Sequence, residues 1–107
     1  MIAVFVTFPG TLELDPETLR ARFEERRLNF EGLQGLVSKT FWLDRSTGEF
    51  GGFYVWESRA RAQDFHDAKW RDAAAAAYGA SPTIRYLEAP IHIANRQPLA
   101  VGSRSSA

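Results

Sequence analysis

The strand-forming stretches of this chain are apolar on both faces, and that excludes a simple sheet with one side in water. A half-exposed strand alternates apolar and polar residues, whereas a strand covered on both sides does not. Ile2–Phe8 sets Ile2, Val4, Val6 and Phe8 on one side and Ala3, Phe5 and Thr7 on the other. Leu33–Leu43 reads as a second strand, with Gly35, Val37, Phe41 and Leu43 on one face and Leu36 and Trp42 opposite. Glu49–Glu57 divides into Phe50, Tyr54 and Trp56 against Phe53 and Val55. Thr83–Ala94 sets Ile84 and Tyr86 against Leu87, Ile91 and Ile93. Aromatic residues make up 13% of the 107 residues, as eight Phe, three Trp and three Tyr. A single core of this size needs less bulky apolar surface than that, so the surplus calls for a partner chain or a ligand.

The segments between these strands read as helices and turns. Pro9-Gly10 stops the first strand. Asp15-Pro16-Glu17 starts a helix: Asp15 caps the first amides, Pro16 suits the first helical position, and Glu17 meets the positive end of the dipole. Leu19, Ala21, Phe23 and Phe30 form its apolar stripe, Arg20, Glu24, Glu25, Arg26 and Arg27 its wet side, and it runs to about Phe30. Asp44–Gly48 is a turn that makes a hairpin of the second and third strands. Ser58 caps a second helix over residues 59–78, with a kink or break expected near Asp67. Ala62, Phe65, His66, Trp70, Ala73 and Ala77 share one of its sides, and Gly79 with Pro82 ends it.

The order β-α-β-β-α-β predicts an α+β, ferredoxin-like domain over residues 1–94. Its four-stranded antiparallel sheet has both helices on one face. Residues 95–107 lack periodicity and read as a tail. Helices cover only one face of such a sheet, so the other face meets a second sheet. Pairing with a second copy, as a homodimer, is the simplest way.

Formal charge is zero, from 13 basic and 13 acidic residues, so no field draws nucleic acid or an anionic membrane. There is no cysteine, hence no disulfide, thiolate nucleophile or iron–sulfur cluster. Met1 runs into a strand with no basic leader segment, and no apolar run approaches the ~20 residues of a membrane span. A cytoplasmic protein is expected.

A few residues carry chemistry. His66 and Trp70 stand i and i+4 on the second helix, a base and an aromatic wall on one face, although a lone histidine is more often structural. Lys39 lies mid-strand among apolar neighbours, where burial would lower its pKa; an edge position with the amine reaching water is the alternative. Tyr54 and Trp56 share a strand face and suit stacking on a flat ligand, or plain packing. Gly51-Gly52 leaves room beside them, or marks a bulge. His66 and His92 are the only histidines and have no metal-ligand spacing, so no metal site is expected.

The stretch Gly32-Leu33-Gln34-Gly35-Leu36-Val37-Ser38-Lys39, followed by Gly48-Glu49-Phe50-Gly51-Gly52-Phe53-Tyr54-Val55-Trp56-Glu57, resembles the YdhR-like monooxygenase family. That family is a branch of the dimeric α+β barrel superfamily, which includes the antibiotic-biosynthesis monooxygenases. The likeness covers residues 2–94 in order and spacing. It implies a homodimer whose sheets close into a barrel, a pocket between sheet and helices, and oxygen chemistry without a cofactor. No family site residue transfers one by one.

The resulting expectation is a cofactor-independent monooxygenase acting on a small planar aromatic or polyketide-like compound. His66 and Lys39 would handle protons, and Tyr54, Trp56 and Trp70 would form the walls. The alternative is a ligand-binding or stress-related dimer without turnover. A haem protein with His66 as axial ligand, and an RNA-recognition module, are weaker readings. Glu49 stands where the RNA motif needs a basic residue, and the net charge removes phosphate attraction.

Overall fold

β1 (Ile2–Phe8) takes the run of β-branched and aromatic residues at the start of the chain and ends at Pro9, which has no amide to donate. The structure, a computed structural model, describes residues 1–95; residues 96–107, most of the expected tail, lie outside the described residues. α1 (Pro16–Arg26) starts as expected, with the Thr18 amide donating to the Asp15 carboxylate at 3.1 Å. It ends short of Phe30, because residues Arg27–Asn29 tighten into a 3-10 turn.

β2 (Leu36–Leu43) starts later than Leu33, just past Gly35, whose φ of +87° excludes most side chains from that position. β3 (Phe50–Trp56) returns beside it. The expected helix over 59–78 is two helices, α2 (Arg59–Phe65) and α3 (Ala68–Tyr78). His66 leaves helical geometry at φ −89°, ψ 48°, and the Asp67 carboxylate restarts the helix by accepting from the Trp70 amide at 2.9 Å. β4 (Thr83–Glu88) is shorter than Thr83–Ala94. Pro90 follows it, and Ile91 and Ile93, expected on the strand, lie beyond its end and are exposed.

Among the described residues the sheet order is β2-β3-β1-β4 with every neighbouring pair antiparallel, an α+β ferredoxin-like fold of four strands and three helices. Val4, Val6, Phe50, Tyr54 and Trp56 face the helices and pack with Leu19, Ala62, Ala74 and Tyr78. Each fully buried side chain of this kind contributes about 1.5–3 kcal/mol of transfer free energy.

One register feature corrects the expected faces of β2. Pairing shifts between Leu36, which meets Trp56, and Ser38, which meets Val55, so Val37 is an extra, bulged residue. Leu36 therefore joins Lys39, Phe41 and Leu43 on the helix face, and Val37 turns outward. On the face away from the helices, Phe5 stacks on Trp42 at 5.4 Å and meets Phe53 edge-on at 6.1 Å.

Candidate functional site

A cavity of about 90 Å³ lies between the helix face of the sheet and helices α1 and α3. Lys39 reaches into it from β2. Its Nζ sits 3.6 Å from the Phe41 ring centroid, 3.7 Å from Phe30 and 4.4 Å from Tyr54. Gly52 makes that path possible: a Cβ there would stand 2.9 Å from Lys39 Cε and 3.0 Å from Tyr54 Cε1. Gly51 serves a different purpose, since its Cβ would overlap the Val6 carbonyl oxygen of β1 at 1.8 Å. Burial, and then the positive charge of Arg26, lower the Lys39 pKa to about 7. The three rings return part of the lost hydration through cation–π attraction.

His66 lies one layer behind. It is 1% exposed, and its Nε2 accepts from the Trp56 indole N–H at 3.1 Å. The indole is a donor only, so the imidazole is neutral with its proton on Nδ1, which has no hydrogen-bond partner among the described residues. Burial, then the charges of Lys39 and Arg71, lower the His66 pKa to about 3. The ring packs edge-on against both Tyr54 and Trp70, each at 4.5 Å. The helix break thus keeps His66 and Trp70 in contact, although they share no continuous helix.

Of the five residues singled out in the sequence, Lys39, Tyr54 and Trp70 line the cavity, whereas His66 and Trp56 form a hydrogen-bonded pair behind its wall. The Tyr54 and Trp56 rings are parallel within 8°, with centroids 6.2 Å apart along β3. Burial raises the Tyr54 pKa, which leaves its phenol protonated. Phe30 and Phe41 complete the cage around the amine. Arg26 also lines the cavity, although its charged neighbours place it on the wet side of α1. The legible signal was spacing: Phe23, Arg26 and Phe30 follow the three-and-four rhythm of the apolar stripe.

A wider groove of about 600 Å³ runs between α1 and β2 and shares Phe23, Phe30, Lys39 and Phe41 with the cavity. The amine therefore stands where the two spaces meet. Among the described residues, no three His, Cys, Asp or Glu side chains group closely enough to hold a metal ion, and no helix is long and apolar enough to cross a membrane.

No protein-family model matches the chain, and no curated protein sequence does. Solved structures do. Rv0793 from Mycobacterium tuberculosis is 20% identical, with a TM-score of 0.58, over 88% of this chain and 98% of that one. A protein from Deinococcus radiodurans named "a putative antibiotic biosynthesis monooxygenase" is 17% identical, with a TM-score of 0.61, over 91% of this chain and 100% of that one. NE2512 from Nitrosomonas europaea, a protein of unknown function, is 19% identical, with a TM-score of 0.62, over 90% of this chain and 95% of that one. The likeness is one of fold: this chain shares the α+β ferredoxin-like architecture of these proteins.

Proposed function

We propose that the protein is a cofactor-independent monooxygenase of the YdhR-like kind, a cytoplasmic homodimer in which Lys39 takes a proton from a small planar aromatic substrate. The observation that carries this reading is the Lys39 amine, held in an aromatic cage with a pKa of about 7 at the junction of cavity and groove. A base of that pKa works near neutral pH. The planar body of the substrate lies in the groove of about 600 Å³ and presents its acidic edge to Lys39 at the mouth of the cavity. Phe5, Trp42 and Phe53 on the other side of the sheet support a partner sheet there.

The chemistry balances with dioxygen as the oxidant. The substrate enol or phenol gives its proton to Lys39, and the anion passes one electron to O₂. Superoxide and the substrate radical join through a new C–O bond and take up a proton. Loss of water then breaks the O–O bond and leaves a carbonyl, so one CH₂ and O₂ become C=O and H₂O. The protein orients, deprotonates and excludes water. His66 acts as a positioning residue, holding Trp56 and backing Tyr54 and Trp70.

A second reading, a ligand-binding dimer without turnover, draws on the position of His66, which lies behind the cavity wall and leaves Lys39 as the one expected proton-handling group at the cavity. Oxygen uptake with a panel of hydroquinones and anthrones separates the two. Uptake that Lys39→Met abolishes is the expected result, and none with any substrate leaves the binder.

A further inference from the structure

The cavity carries charge of one sign only. Arg26 and Lys39 both line it, and no Asp or Glu does. The adjoining groove mixes both signs, with Arg20, Arg27 and Lys39 beside Glu24 and Glu31, and Arg27 pairs to each glutamate at 3.3 Å. Among the described residues, neither Arg26 nor Lys39 has a carboxylate oxygen within 4.0 Å. The Arg26 guanidinium instead lies 5.4 Å over the Tyr78 ring. Two cations facing one apolar space repel each other, and an anion placed between them removes that repulsion while gaining attraction to both.

We propose that this cavity and the groove it opens into form a site for a planar aromatic anion, with Arg26 as the anchor for its carboxylate. The guanidinium presents a planar fork that matches a carboxylate, which a lysine cannot do. Phe23, Phe30 and Phe41 line cavity and groove alike and wall the ligand's flat body, which lies mainly in the groove of about 600 Å³. The groove leads to Arg26, because it shares Lys39 and those three rings with the cavity. A neutral ligand of the same shape leaves the Arg26 guanidinium without an anionic partner. The assignment rests on the oxygenase reading's cavity and adds the charge of its substrate, but it does not depend on turnover.

The test is calorimetric binding to the full chain at neutral pH under nitrogen, with benzoate, benzamide and benzylammonium as probes. Benzoate should bind about tenfold or more tightly than benzamide, as one charge-assisted pair provides. Arg26→Gln should bring the two within about threefold, and Arg26→Lys should restore part of the gap. Equal affinities in the wild type, no benzoate binding at millimolar concentration, or an undiminished preference in Arg26→Gln would each overturn the site. If Arg26→Gln does not fold, the wild-type order decides: benzoate, then benzamide, then benzylammonium supports it, and any other order removes it. A charge preference without oxygen uptake would retire the oxygenase and leave the anion site standing.

Discussion

The indole N–H of Trp56 donates to Nε2 of His66 at 3.1 Å, in the most enclosed part of the molecule. Both side chains are almost fully buried, so neither group has water to fall back on. His66→Leu strands a buried donor and should destabilise the fold by about 2–3 kcal/mol. Trp56→Phe strands the acceptor and opens space as well. A double-mutant cycle in urea should give a coupling of about 1–2 kcal/mol between the two positions. Additive effects would mean the bond contributes nothing.

The same pair sets an acid limit. The His66 pKa falls from 6.5 to about 3 on folding. Between those values the unfolded chain binds a proton that the native protein does not, so stability rises with pH. The contribution is fully present above 6.5 and is lost as pH falls toward 3. His66→Asn keeps an acceptor for Trp56 but cannot titrate. Denaturation at about pH 7 and about pH 4.5 should show a smaller stability difference in the variant than in the wild type.

Much of this fold was legible because its signals are local. Asp15 and Ser58 each accept a backbone amide at the helix start they predict, and Asp67 does so at the expected break, where a new helix begins. The element order alone leads to the sheet. Alternation misplaces the faces of β2 because a bulge at Val37 has no residue signature; it is defined by which residues of β3 sit opposite. β4 was read too long because Ile91 and Ile93 continue the alternation past Pro90. The site was half legible. Lys39 stood out as a charge in an apolar strand, but burial of Arg26 depends on α1 packing over β2, a tertiary fact that a charged helix face conceals. His66 kept its contact with Trp70 but lies behind the cavity wall, since the helix break at Asp67 turns it toward Trp56.

The homodimer reading makes a prediction on the other face of the sheet. Phe53 is 37% exposed and meets Phe5, which in turn stacks on Trp42. A partner sheet would cover this group. Sedimentation equilibrium at micromolar concentration should find a dimer, and Phe53→Asp should shift it to monomer with its circular dichroism unchanged. A wild-type monomer would remove the dimer from the reading.

Gly52 gives a change that acts on the site without altering its charged groups. A methyl at this position meets the end of the Lys39 stem and the edge of Tyr54, at 2.9 and 3.0 Å. The lysine is the flexible partner, so it should yield and swing its amine toward the groove. Gly52→Ala should lower stability by about 1 kcal/mol. If Lys39 is the base, turnover should fall about tenfold or more, because the amine leaves its reactive position. Crystals of the variant would show whether Nζ has left the Phe30 and Phe41 rings.

Lys39 itself should stabilise the protein when removed. Its pKa drops from 10.5 to about 7 on folding, first through burial and then through Arg26. Between those values the unfolded chain holds a proton that the folded chain has released, so the lysine's contribution improves as pH rises from 7 to 10.5. Below about 7 both states are protonated and the penalty is complete. Lys39→Met fills the same space without a charge. It should raise stability by about 1–2 kcal/mol near pH 6, a modest figure because the side chain is only half-buried and partly hydrated. The gain over wild type should shrink steadily as pH climbs through the range between the two pKa values. Urea titrations of both proteins at matched pH measure it, and the difference between them cancels every other titrating group. A gain that stays constant with pH would mean that the amine keeps its ordinary pKa, and would take away the neutral base on which the proposed deprotonation depends.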